Sequence, residues 1–214
     1  MTEQADGAPR YSVRVSELPA EERPRERMLR LGTQALAGYG IGQRLEFLLI
    51  PIAFGIGVAS VPMVGMAVGA GQVPRARRVA WIAGGVSAVN LGVVGLIVSL
   101  MPEVWSSLFS KDPQVLASAS QYLSLAGPAF PLFGFGLTLY FASQGSGKVL
   151  GPVMAATLRL ILVIVVGSWL SKGSPEAWHY YALVAGAMAT YGLATATAIW
   201  FTPWGNGVSH GVRS

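Results

Sequence analysis

The sequence predicts an all-α polytopic membrane helix bundle of about five transmembrane helices. Three observations predict it. Only 12% of the 214 residues are charged, against roughly 25% in a soluble domain. Mean hydropathy is +0.51. The charge is also gathered at one end, with six of the ten acidic and six of the fifteen basic residues preceding Leu31. A core this poor in charge cannot present a hydrated surface, so hydrocarbon is its expected solvent.

Residues 1–32 read as a charged tail, disordered or short-helical. It lacks the apolar run of a signal peptide. A transmembrane bundle is expected over 33–203, with helices at about 36–70, 79–101, 115–142, 149–170 and 179–202, and a tail over 204–214. Crossing hydrocarbon takes about 20 helical residues. The second, fourth and fifth stretches fit that length. The first and third are longer, and each holds two prolines, Pro51 and Pro62, then Pro128 and Pro131. Such helices tilt or kink, and the freed carbonyls tend to face a protein-lined cavity. The apolar runs are continuous rather than alternating, which argues against a β-barrel.

The connectors carry turn chemistry. Asp112-Pro113 reads as an N-cap and first-turn proline. Gly69-Ala70-Gly71 and Gly145-Ser146-Gly147 read as helix C-caps. They are not phosphate loops, having no Gly-Lys-Ser/Thr ending, no preceding strand and no G-x-G-x-x-G. Tryptophans 81, 105, 169, 178, 200 and 204 lie at stretch ends, the pattern of an interfacial belt. Gly38 with Gly42, and Gly65 with Gly69, have the spacing that lets membrane helices approach closely. Arg75, Arg77, Arg78, Lys148 and Arg213 mark one side, assigned to the cytoplasm together with the C-terminus. An odd helix count then puts the arginine-rich N-terminal tail outside, against the positive-inside rule.

Several function classes drop out. Without cysteine there are no disulfides, thiol catalysis or cysteine metal sites. Two distant histidines make no metal cluster. His179, between Trp178 and Tyr180, reads as an interfacial polar residue. The basic residues are scattered among helix ends rather than forming a nucleic-acid face. No catalytic constellation is visible, so the chain is not read as an enzyme. The ionisable groups inside the apolar stretches are Arg44, Glu46 and Arg159. Each is costly there unless paired or near water. Glu46 shares one helical stripe with Gln43 and Tyr39, a polar track suited to a bundle interior. Its carboxylate could bind a proton or cation, or form a structural ion pair. Arg44 lies about 200° around the helix from Glu46 and reads as facing elsewhere, for example snorkelling. Arg159 reads as a bundle brace or an anion contact.

Longer-range order points to a family. Leu36-Ala37-Gly38-Tyr39-Gly40-Ile41-Gly42 is followed by Arg44-Leu45-Glu46, then Pro51 and Phe54-Gly55-Ile56-Gly57. Gly69-Ala70-Gly71 precedes Arg75-Ala76-Arg77-Arg78. Later come Leu108-Phe109-Ser110-Lys111-Asp112-Pro113-Gln114-Val115 and Gln144-Gly145-Ser146-Gly147-Lys148. This succession resembles the multidrug and toxic compound extrusion (MATE) transporters over roughly Leu31 to Phe201.

The resemblance implies a fold of twelve helices in two six-helix lobes. It implies export of cationic or amphipathic compounds, xenobiotics or metabolites, across the cell membrane in exchange for sodium or protons, without a cofactor. It places this chain at helices eight to twelve of the second lobe. A second lobe, from a homodimer or a separate chain, is the implied partner. Some family branches bind the coupling cation with carboxylates on the lobe-opening helix and the tenth helix. Here only Glu46 matches a recurring family carboxylate. No Asp or Glu occurs between Val115 and Lys148. The other reading is a truncated or remnant lobe, a membrane scaffold without autonomous transport.

Overall fold

A computed structural model describes residues 24–173 and 176–204. It is helical almost throughout, and no strand occurs among the described residues. The helices are α1 (Pro24–Gly69), α2 (Val73–Leu100), a single turn α3 (Glu103–Ser106), α4 (Pro113–Ala126), α5 (Phe130–Gly145), α6 (Leu150–Leu170) and α7 (Ala177–Phe201). Five segments are long and apolar enough to cross a membrane: Gly32–Gly69, Val73–Leu100, Pro113–Gly145, Leu150–Leu170 and Ala177–Phe201.

Three boundaries differ from the sequence expectation. The chain is already helical at Pro24, well before Leu36, because the Arg/Glu-rich segment that follows is made of good helix formers. The rest of the expected tail, and residues 205–214 with Arg213, lie outside the described residues. The second helix starts at Val73 rather than near Val79, with Pro74 in its first turn, so Arg75, Arg77 and Arg78 lie on the helix and not in a loop. The third stretch is not one helix. It divides into α4 and α5 at a 3₁₀ turn, Gly127–Ala129. Pro128 and Pro131 each lack an N–H, and two such gaps close together weaken the α-helical ladder at this point. By contrast, α1 stays helical through Pro51 and Pro62, both on its exposed side.

The ends behave as the turn chemistry requires. Asp112 caps α4, its side chain accepting from the Gln114 backbone N–H at 2.9 Å. Gly71 and Gly147 take φ of 73° and 69°, a left-handed conformation natural to glycine. At Gly71 the chain closes a Schellman-type cap, Gln72 N–H donating to Ala67 C=O at 2.8 Å.

Contacts along the helices give the topology. Ser118 meets Tyr181 at one end of the bundle, and Gly136 packs on Gly192 deeper in, so α4–α5 and α7 run parallel. Gly38 against Ser118, and Gly65 against Gly145, make α1 parallel to them as well. Gly95 beside Gly127 and Gly84 beside Phe135 make α2 antiparallel; Gly151 beside Ala198 does the same for α6. The starts of α1, α4 and α7 therefore share one end of the bundle. Arg75, Arg77, Arg78 and Lys148 mark the other.

The α4–α5 unit is the hub. Tyr122, Leu123, Ala126, Phe130, Leu139 and Ala142 on it are almost fully buried against α1, α2 and α7. Helix α6 is peripheral. It buries only Pro152 and Ala155 and exposes Leu150, Met154, Ile161, Val165 and Trp169. Such continuous exposed apolar surface belongs in hydrocarbon. The tryptophan belt is partial. Trp169, Trp178 and Trp200 are exposed, but Trp204 is buried, and Trp105 is tied inward by its Nε1–H donating to Ile41 C=O at 2.9 Å. Trp204 packs beneath Arg77, whose guanidinium donates to the carbonyls of Thr202 at 2.6 Å, Trp200 at 3.2 Å and Ile199 at 3.3 Å. A cation from α2 thus closes the C-terminus of α7.

Candidate functional site

The polar track on α1 turns inward. Gln43 Nε2 donates to Tyr39 Oη at 2.9 Å. Glu46 is half-buried, and its carboxylate accepts a hydrogen bond from the Tyr122 hydroxyl of α4. Gly42, one turn before Glu46, makes this possible. A Cβ there would collide with the Tyr122 ring. Gly38, a further turn back, lies against Ser118 and Ala119. The Gly38–Gly42 spacing read from the sequence is therefore the place where α1 and α4 close on each other.

Around the carboxylate stands a group of tyrosines from three helices. Tyr39 and Tyr122 meet edge to face at 5.0 Å between centroids, and Tyr122 and Tyr181 do so at 5.4 Å. Tyr39 and Tyr181 lie nearly parallel at 6.4 Å. Tyr181 of α7 donates to Ala35 C=O at 3.0 Å and shares a 2.7 Å hydrogen bond with Ser118. The tyrosines thus bind three helix ends together beside the carboxylate.

Tyr39 and Tyr181 also form part of the wall of a cavity of about 1420 Å³ at the end where α1, α4 and α7 start. Gln34, Gln114, Gln121, Tyr180 and Glu176 supply its other polar groups, with Ala35, Leu36, Ala117 and Val184 as apolar wall. Among the described residues no Lys or Arg lines it. The Gln34 Oε1 is buried without a donor. The cavity is therefore rich in acceptors and aromatic faces, and among the described residues its one charged lining group is the Glu176 carboxylate.

The two arginines take separate places. Arg44 is exposed and lies 5.0 Å above the Phe109 ring, away from Glu46, as its helical angle requires. Arg159 of α6 is half-buried, 5.6 Å from the Phe133 centroid and 5.8 Å from that of Tyr191. Its charge reaches Glu46, Tyr39, Tyr122 and Tyr191 electrostatically. Among the described residues neither Arg159 nor Glu46 forms an ion pair. The structure therefore brings Tyr39, Gln43 and Glu46 together, sets Arg159 within their field, and leaves Arg44 outside.

Tyr122, Tyr181 and Ser118 escaped the sequence reading, which sought carboxylates on the third stretch and found none. A signal was present in Gly38, Gly42 and Glu46. They recur every four residues, so they mark one face on which a large partner side chain could reach the carboxylate.

Comparison with known proteins supplies a further constraint. Residues 28–169 match the MatE family model. A probable multidrug resistance protein NorM of Thermotoga maritima is 32% identical over 163 residues, 71% of this chain and 34% of that protein. An FAD transporter of Shewanella oneidensis is 25% identical over 61% of this chain and 29% of its own length. An uncharacterized transporter of Schizosaccharomyces pombe is 31% identical over 67% of this chain and 24% of its own. The matched region spans about a third or less of each of these relatives.

Proposed function

The chain belongs to the MatE family, and we propose that it is the second-lobe part of an efflux antiporter that carries cationic or amphipathic compounds out of the cell. One observation carries the reading. A lone carboxylate, Glu46, sits on a tyrosine hydroxyl inside the bundle, beside an open, aromatic-walled cavity. Tyrosine faces attract organic cations, and amide and carbonyl oxygens accept their N–H groups. The named relatives differ, one a probable multidrug resistance protein and one an FAD transporter, so family membership alone does not set the cargo.

Proton coupling fits Glu46 better than sodium. A hard cation asks for several oxygen ligands at once, whereas a proton needs one carboxylate. Glu46 supplies that carboxylate, with Tyr122 as its only hydrogen-bond partner among the described residues. The basic end of the bundle faces the cytoplasm in this reading, so the cavity opens outward and the C-terminus lies inside. Transport in this reading requires a second lobe, since cargo passes between lobes.

The test is dye retention in an efflux-deficient, drug-sensitive host expressing the full chain, alone and with a co-expressed first lobe. Wild type lowers ethidium retention, and Glu46→Gln returns it to the vector level. Retention equal to vector for wild type in both settings, with the protein present in the membrane, refutes transport and leaves a scaffold.

A further inference from the structure

Arg159 is a charge in the middle of a membrane helix, the tenth residue of the 21 in α6. Its neighbours on that helix are almost all exposed and apolar, yet its own side chain turns into the bundle between α5 and α7. There it lies against two aromatic rings, Phe133 and Tyr191, which are themselves 6.1 Å apart and tilted by 46°. Both rings approach the guanidinium carbon, and an aromatic ring gives its five coplanar N–H donors no oxygen to bond to. Among the described residues no carbonyl, hydroxyl or carboxylate accepts from them. Glu46 is within electrostatic reach but is held by Tyr122 instead.

A brace explains the ring contacts and not the unpartnered N–H donors. Unmet donors on a full charge are expensive at this depth, and intramembrane charges of this kind mark ligand pathways. The planar guanidinium fits a carboxylate or a phosphate through two parallel hydrogen bonds. We propose that Arg159, oriented by Phe133 and Tyr191, is an anion-recognition subsite for the transported molecule. The cargo is then an aromatic or amphipathic compound bearing a carboxylate or phosphate in addition to its cationic portion. Its anionic group meets Arg159, and its cationic portion lies toward Glu46 and the tyrosines. This rests on the transporter reading above and narrows its substrate class.

A matched pair of probes tests it: one cationic rhodamine as the free carboxylate and as its methyl ester, differing in a single charge. Binding to the full chain in lipid nanodiscs is read by fluorescence anisotropy. Wild type binds the free acid about tenfold more tightly than the ester, the scale of a charge-assisted bidentate pair. Arg159→Gln abolishes that preference while ester affinity stays within twofold, which also shows that the fold survives. Arg159→Lys keeps the charge without the planar fork and retains a few-fold preference. Equal binding of acid and ester by wild type overturns the inference alone. So does an equal loss of both dyes in Arg159→Gln, the result of a pure brace. Binding of neither dye by wild type overturns the transporter reading as well.

Discussion

Consider Tyr122→Phe. Tyr122 is fully buried, and its ring is fixed by edge contacts to Tyr39 and Tyr181. Phenylalanine keeps the ring and removes only the hydroxyl that donates to Glu46. A hydrogen bond to a charged group contributes about 1.5–3 kcal/mol, whereas neutral side-chain bonds in membrane bundles average about 0.6. The size of the coupling therefore reports the state of the carboxylate. The measurement is a double-mutant cycle with Glu46→Leu, which removes the acceptor without offering another. Unfolding is followed by tryptophan fluorescence during an SDS titration in mixed micelles. A coupling of about 1.5 kcal/mol or more is expected if Glu46 is ionised, and about 0.6 kcal/mol if it is protonated. Additive single effects, with a coupling within about 0.3 kcal/mol of zero, would mean that the Tyr122–Glu46 contact is not made, and the site as built here would fail.

Three further outcomes follow from the packing. Arg77→Ala releases three carbonyls at the end of α7 and the cation–π contact with Trp204, and should cost about 2 kcal/mol in the same titration, with Arg77→Lys recovering only part because its shorter reach and lost planar guanidinium weaken the contact with Trp204. Gly192→Ala drives a Cβ into the Leu132 carbonyl and should destabilise by about 1–3 kcal/mol; Gly186→Ala, on the same helix with nothing within 4 Å, should be neutral or slightly stabilising. Asp112→Ala removes the α4 cap and should cost about 1 kcal/mol, a loss that Asp112→Asn largely restores.

Local chemistry made much of this molecule legible in its sequence. Composition and run length identify a multi-pass helical membrane protein, because hydrocarbon tolerates few charges and requires backbone groups to be satisfied within each helix. Asp112-Pro113 and the glycines at 71 and 147 mark helix ends by their own conformational preferences. The stripe of Tyr39, Gln43 and Glu46 is helical periodicity, and Arg44 falls off it for the same reason. These features depend on neighbours in the chain.

Other features depend on residues far apart in the chain. Two prolines lie in α1 and two in the third stretch, yet α1 continues and the third stretch breaks. The break is where Gly127 presses against α2 beside Gly95 and Ser99, whereas Pro51 and Pro62 face outward, where the helix can absorb the loss. Trp204 looked like part of an interfacial belt and is instead buried under a cation from α2. Tyr122, 76 residues from Glu46 and silent in the sequence, is the group that holds the carboxylate. Run length and spacing alone place charges within the membrane span and say on which helices. The fold alone chose their partners, a hydroxyl for Glu46 and two aromatic faces for Arg159, because the choice depends on which side chains three-dimensional packing brings within a few ångströms.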